Sequence, residues 1–295
     1  MPFGRTCTRW RDTRHPGTVT AQPCASVGIR RAVSTRLETQ VSAETDLVMA
    51  IAVGSGYARE AESMRVRVDG AEVGCEELDV DHGGRLHLVR DVGPGTLVVD
   101  YQATVCGIPS AGPKVSDLDQ VRYLRPSRYC ESDRLGPLAR DEFAGLDGHQ
   151  LLAGVSSWVG SNIRYVSGSS RPTDGAVETL MAREGVCRDF AHLTAALLRA
   201  NGVPARVASV YAPGLEPMDF HAVVEALVDG RWVVVDPTLL APRRSLVRIA
   251  TGADASDTAF LATLRGAVEL RHVSVTAVAD PALPDDDVTE VVQLH

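Results

Sequence analysis

The sequence predicts an α+β protein in which a β-rich first third leads into helices and then into antiparallel strands. Three observations carry this. Residues 32–106 hold short apolar runs broken by turn residues. Residues 151–198 repeat apolar side chains at helical spacing. Residues 205–235 return to strand patterns around Asp229-Gly230.

Taken in order, Val33 to Val41 alternates and Leu47 to Val53 is an apolar run ended by Gly54 and Gly56. Val66 and Val68 precede the Asp69-Gly70 turn, Leu86 to Val89 follows Gly83-Gly84, and Leu97 to Tyr101 follows Pro94-Gly95. Strands at this spacing predict a small β-sandwich-like domain over 32–110. His82 and His87 within it read as packing or surface residues. The linker with Pro109, Gly112 and Pro113 leads into the helical part. Leu151, Leu152, Val155, Trp158 and Val159 share one helix face, and Ala176 to Ala182 forms a second helix capped by Thr173 or Asp174. Phe190, Leu193, Leu197 and Leu198 mark a third, stopped by Asn201-Gly202 and Pro204. Strands follow at 205–211, 220–228 and 231–235, with a last one over 268–279. The helix-and-strand part is expected to span 111–283, and 284–295, with Asp285-Asp286-Asp287, reads as an acidic tail.

Residues 1–31 place Arg5, Arg9, Arg11, Arg14, Arg30 and Arg31 among Pro, Gly, Thr and Ser without periodicity. A secretory signal needs roughly 7–15 consecutive apolar residues, and none occur there, so a disordered basic tail and a cytoplasmic location are expected. A net charge of −8 disfavours nucleic acid or an anionic membrane as the main partner. No apolar run approaches the about 20 residues of a membrane-spanning helix. Six cysteines contain no C-x-x-C pair, so no metal site is expected. Cys75, Cys106 and Cys130 read as small buried hydrophobes of a reduced protein.

Chemistry enters with Cys187, His221 and Asp236, in that order. Cys187 opens a helix, where unpaired N–H groups and the helix dipole favour an anion. If Asp229-Gly230 is a two-residue hairpin loop, Val228 faces Arg231, Val223 faces Asp236 and His221 faces Thr238. His221 and Asp236 then project from one face as diagonal neighbours, with Cα atoms roughly 7–8 Å apart. A carboxylate there can fix the imidazole tautomer and leave the second ring nitrogen for the thiol. A slip of one residue would put them on opposite faces. Singly, each residue has an ordinary structural explanation; together, order, face and helix position point to an activated nucleophile. His192 reads as a packing residue, and Arg188 and Asp189 as charges of the first helical turn. Asp219 reads as a loop residue or a substrate contact.

The stretches GVCRDFAHLTAALLRANGVPARVASVY, DFHAVVEALVDGRWVVVDPT and RPTDGAVETL resemble the nucleophile helix, the His–Asp hairpin and the preceding helix of the transglutaminase-like cysteine protein superfamily. The resemblance covers 123–240, and 32–106 is similar to the β-rich N-terminal domain of bacterial members. It implies a papain-like core of helices packed on an antiparallel sheet, with Cys187 as nucleophile, His221 as base and acid, and Asp236 orienting the ring. The Cys187 N–H would be one oxyanion donor, with Tyr165 or a residue of 158–162 as candidates for the second. Tyr165, Trp158 and Asp219 are the candidate substrate contacts. The acidic calcium loops of animal transglutaminases and the zinc cysteines of peptide glycanases are absent, so no cofactor is carried over. The expected activity is cleavage or transfer of an amide acyl group of a protein or peptide through a thioester, with hydrolysis favoured slightly. The alternative is a non-catalytic protein- or peptide-binding module on the same fold.

Overall fold

The computed structural model describes residues 28–109 and 115–294. Arg5, Arg9, Arg11, Arg14, Cys7 and Cys24 of the expected tail lie outside the described residues.

The first third builds a sandwich. Its strands are β1 (Arg30–Val41), β2 (Thr45–Met49), β3 (Ala58–Val68), β4 (Ala71–Glu72), β5 (Glu76–Asp79), β6 (Arg85–Val92) and β7 (Gly95–Cys106). In β1 the alternation read from sequence appears as alternate buried positions, with Val33, Leu37 and Val41 turned inward. Arg30 and Arg31, assigned from sequence to the tail, belong to β1. Arg31 is buried there, its guanidinium donating to the Gly107 carbonyl and lying 5.7 Å from the Tyr57 ring centroid.

Helices α1 (Asp117–Leu124), α2 (Gly136–Glu142), α3 (Gly148–Asn162), α4 (Ala176–Ala182) and α5 (Cys187–Ala200) follow, with two-residue strands β8 (Arg164–Tyr165) and β9 (Glu184–Gly185) between them. α4 is capped by Gly175 rather than by Thr173 or Asp174; Asp174 instead accepts from the Arg171 N–H at 2.9 Å. β10 (Ala205–Tyr211), β11 (Phe220–Val228), β12 (Arg231–Val235) and β13 (Val247–Gly252) form an antiparallel sheet in the order β12-β11-β10-β13. α5 lies against it. Phe190, Leu193 and Leu197 are buried beside Val224 and Ala226. Each such side chain contributes about 1.5–3 kcal/mol, more than a helix cap, so packing fixes the position of α5.

The expected last strand joins the N-terminal sheets, and so does a second one that the sequence reading did not include. β14 (Leu261–Arg265) pairs with β2, and β15 (Val268–Asp280) pairs with β1, so both complete the N-terminal sandwich. Its sheets run β15-β1-β7-β3-β4 and β14-β2-β6-β5. The physical reason is pairing: β1 would otherwise be an open edge twelve residues long. The sandwich core continues into the helix-backed sheet through Tyr211, Val247 and Ile249. Thr35 Oγ1 and Tyr211 OH are 2.7 Å apart, and the Tyr211 hydroxyl also donates to the Ile51 carbonyl at 2.7 Å.

The acidic tail is also a docked segment. Val292 and Leu294 are buried, and Asp286 pairs with Arg243 at 3.0 Å. The cysteine reading divides. Cys130 is buried and free, Cys75 is exposed, and Cys106 is disulfide-bonded rather than a reduced thiol. His82 pairs with Asp119 at 3.1 Å and His87 with Glu77 at 3.2 Å, so both pack on the protein. Among the described residues no helix is long and apolar enough to cross a membrane.

Candidate active site

Cys187 is the first residue of α5, with Val186 as N-cap. The start of the helix is held by Asp189, whose carboxylate accepts from the Val186 N–H at 2.8 Å and from Ser170 Oγ at 2.8 Å. Arg188 closes this network by donating to Ser170 Oγ at 2.5 Å and to the Arg171 carbonyl at 2.7 Å. Asp189 and Arg188 are thus first-turn charges as expected, but they also tie α5 to the 170–171 loop. Gly185 permits the close fit, because a Cβ there would lie 2.7 Å from the Asp189 Cβ.

The hairpin has the register read from sequence. Val228 faces Arg231 and Val224 faces Val235, and Asp229 and Gly230 take φ of 50° and 71°, the left-handed turn geometry. Continued two residues, this register brings His221 Nε2 to 2.8 Å from Asp236 Oδ2 with both residues buried. The other carboxylate oxygen accepts from the Thr238 N–H at 3.0 Å and the Thr238 hydroxyl at 2.7 Å. Thr238 was not singled out from sequence, although a hydroxyl residue two positions after an aspartate is a recognisable turn signal.

Burial opposes a charge on the His221 ring, but the Asp236 charge and hydrogen bond, with a further contribution from Cys187, push its pKa up to about 10. Asp236 shows the reverse balance. Burial raises its pKa, and the ring and Thr238 hold it below the usual carboxylate range. His221 Nδ1 is buried and makes no hydrogen bond of regular geometry, although Cys187 is close enough to act on the ring. The second ring nitrogen and the half-buried thiol are therefore neighbours.

Tyr165 lies beside the same thiol. Burial and the Cys187 side chain push its phenol up to about 12, while the Cys187 backbone N–H pulls the other way. Asp219 is exposed and close enough to add to the rise. The Trp158 indole N–H donates to Glu142 at 2.9 Å, and its ring meets Phe143 and Arg183. His192 is buried, stacks on Tyr129 with centroids 5.2 Å apart, and is pushed down to about 3 by burial. Among the described residues no cluster of three or more His, Cys, Asp or Glu side chains is arranged to hold a metal ion.

Residues 147–237, which enclose Cys187, His221 and Asp236, match the Transglutaminase-like superfamily. The crystal structure of a candidate cysteine protease from Cytophaga hutchinsonii superposes with a TM-score of 0.79 at 30% identity, over 88% of this chain and 94% of that one. The chain belongs to the transglutaminase-like superfamily. Two curated relatives are uncharacterised mycobacterial proteins. The Mycobacterium leprae protein is 28% identical over 163 residues, covering 50% of this chain and 57% of its own length. A Mycobacterium tuberculosis protein is 36% identical over 124 residues, covering 37% of this chain and 39% of its own. The chain therefore spans about half or less of the length of these curated relatives. Within the superfamily, the mixed α+β architecture with a β-rich N-terminal part is the one expected from the motifs.

Proposed function

We propose that this chain is a cysteine enzyme that transfers the acyl group of an amide through a thioester on Cys187, with a protein or peptide as substrate and water as the favoured acceptor. The observation that carries the reading is the buried His221–Asp236 pair, whose second ring nitrogen is left for the thiol at the start of α5. A cysteine beside an imidazolium is a strong nucleophile. Its sulfur bonds to the carbonyl carbon, and the C–N bond breaks as His221 gives its proton to the leaving nitrogen. Water then attacks the thioester, passing a proton to His221 as the C–S bond breaks and the acid leaves. Asp236 and Thr238 keep the ring in the tautomer this sequence needs. The Cys187 N–H is one oxyanion donor and the Tyr165 hydroxyl the second. Similarity to a protein described as a candidate cysteine protease supports hydrolysis over amine transfer.

Alkylation tests the nucleophile directly. Iodoacetamide at pH 6 should modify Cys187 at least tenfold faster than the exposed free thiol Cys75, and His221→Ala should remove that advantage. Equal rates would favour the non-catalytic peptide-binding module. Tyr165→Phe tests the second donor: kcat should fall about 10²–10³-fold, as for the loss of one oxyanion hydrogen bond. A change under threefold would reduce Tyr165 to a cleft wall.

A further inference from the structure

Residues 284–294 carry the charge run that reads as a tail, yet they are bound along the back of the His–Asp hairpin. Val234, two residues before Asp236 on β12, donates its N–H to the Val292 carbonyl at 2.8 Å. Arg243, seven residues after Asp236, holds Asp286 at 3.0 Å and donates to the Asp287 carbonyl at 2.6 Å. Arg244 adds a pair with Glu290 at 2.5 Å. The Leu294 carbonyl accepts from Tyr57 OH at 3.0 Å, and that hydroxyl accepts from the Arg248 N–H at 2.9 Å.

Val292 and Leu294 are buried in one cluster with Val223 and Val234. Strand alternation puts Val223 on the face of β11 that carries His221, and Val234 on the face of β12 that leads to Asp236. The cluster also takes Leu215, from the loop that delivers His221 to β11. The segment therefore holds the chain before and after Asp236 and shares its apolar cluster with the loop before His221.

We propose that residues 286–294 form a positioning strap for the His221–Asp236 pair, with Arg243 and Val292 as its positioning residues, so that releasing the strap uncouples the acid from the ring. The inference rests on the reading of that pair as catalytic. Without the strap, the outward edge of β12 loses its partner at Val234, and the turn from Pro237 to Ser245 loses the anchor at Arg243. A 2.8 Å hydrogen bond between two buried side chains cannot survive a strand end that drifts by an ångström. The titratable groups that face the ring are Asp236 and Cys187, so loosening the first is read at His221.

The test uses the full chain with Arg243→Ala, Asp286→Ala and the exchanged pair Arg243→Asp with Asp286→Arg. Either single change should lower kcat at least tenfold with KM within threefold, and should lower the pH at which the His221 ring titrates by NMR. The exchanged pair should recover at least half of the lost rate. A lower Tm with kcat and ring titration unchanged would make the segment a simple clamp and overturn the inference. Failure of the exchanged pair to recover in a folded protein would overturn the role of the latch. The ring titration does not require turnover. A wild-type protein with no amidase or transferase activity would sink the catalytic reading, while the titration would still report on the strap.

Discussion

Asp236→Asn is expected to lower kcat by about 10⁴-fold while leaving the fold intact, the size of effect seen when a triad loses its acid but keeps its shape. The geometry explains why an isosteric change is so costly. Asp236 uses one oxygen for the two Thr238 donors and the other for His221 Nε2. An asparagine would satisfy Thr238 with its carbonyl and turn its NH2 toward the ring. Nε2 must then accept, and the ring proton moves to the nitrogen facing the sulfur, where a base is needed.

The pH dependence should change with it. The His221 pKa in the folded protein, about 10, lies above its ordinary value of 6.5. The stability this adds is fully present below about pH 6.5 and is lost as pH rises through about 10. The Asp236 shift is in the opposite direction, so its contribution is present above the usual carboxylate range and is lost as pH falls. Removing the carboxylate leaves burial as the dominant influence and brings the ring's titration down. Thermal melts of both proteins across pH 5 to 10 should therefore converge toward the alkaline end. Parallel curves, or a rate loss under tenfold, would mean that Asp236 does not orient the ring.

Glu225→Ala should be the most destabilising single change in the sheet, at about 3–5 kcal/mol. Glu225 is wholly buried between Arg206, whose nitrogen is 2.8 Å away, and Arg248, to which it is also hydrogen-bonded. Arg206 in turn lies 4.0 Å from the Trp232 ring centroid. Burial raises the Glu225 pKa, but the two guanidinium groups hold it below the usual carboxylate range. Deleting the carboxylate strands two buried cations without their counter-charge. Glu38→Ala, which breaks a solvent-exposed pair with Arg36, should cost under about 1 kcal/mol. Urea melts of the two variants compare the cases directly, and equal losses would show that the buried arginines find other partners.

Much of the site was legible because its determinants are local. The Asp229-Gly230 turn dictates a two-residue loop, that loop dictates the register, and the register puts His221 and Asp236 on one face. The periodicity of 190–198 likewise fixes α5 and places Cys187 at its start. What escaped depends on distant partners. Nothing near Val268–Asp280 announces that β15 will pair with β1, since either sheet could accept such a strand. Asp285-Asp286-Asp287 looks solvated until Arg243, more than forty residues earlier, supplies the counter-charge. α1 and α2 were not read from the sequence, whereas the equally short α4 was. Trp158 was named as a candidate contact, and the sequence does not announce that its indole N–H pairs with Glu142, sixteen residues earlier.

The pairing of Arg30 with Asp280 has a consequence for how the chain reaches its native state. The sandwich needs its last strand from the far side of the whole helix-backed sheet, so the two parts are interleaved in sequence. During synthesis, β1 waits with one edge bare until β15 leaves the ribosome. Contacts of such long sequence separation slow folding and prolong exposure of that edge. A fragment cut after residue 260 would retain every residue proposed for chemistry yet carry that bare edge permanently, and self-association is its expected fate.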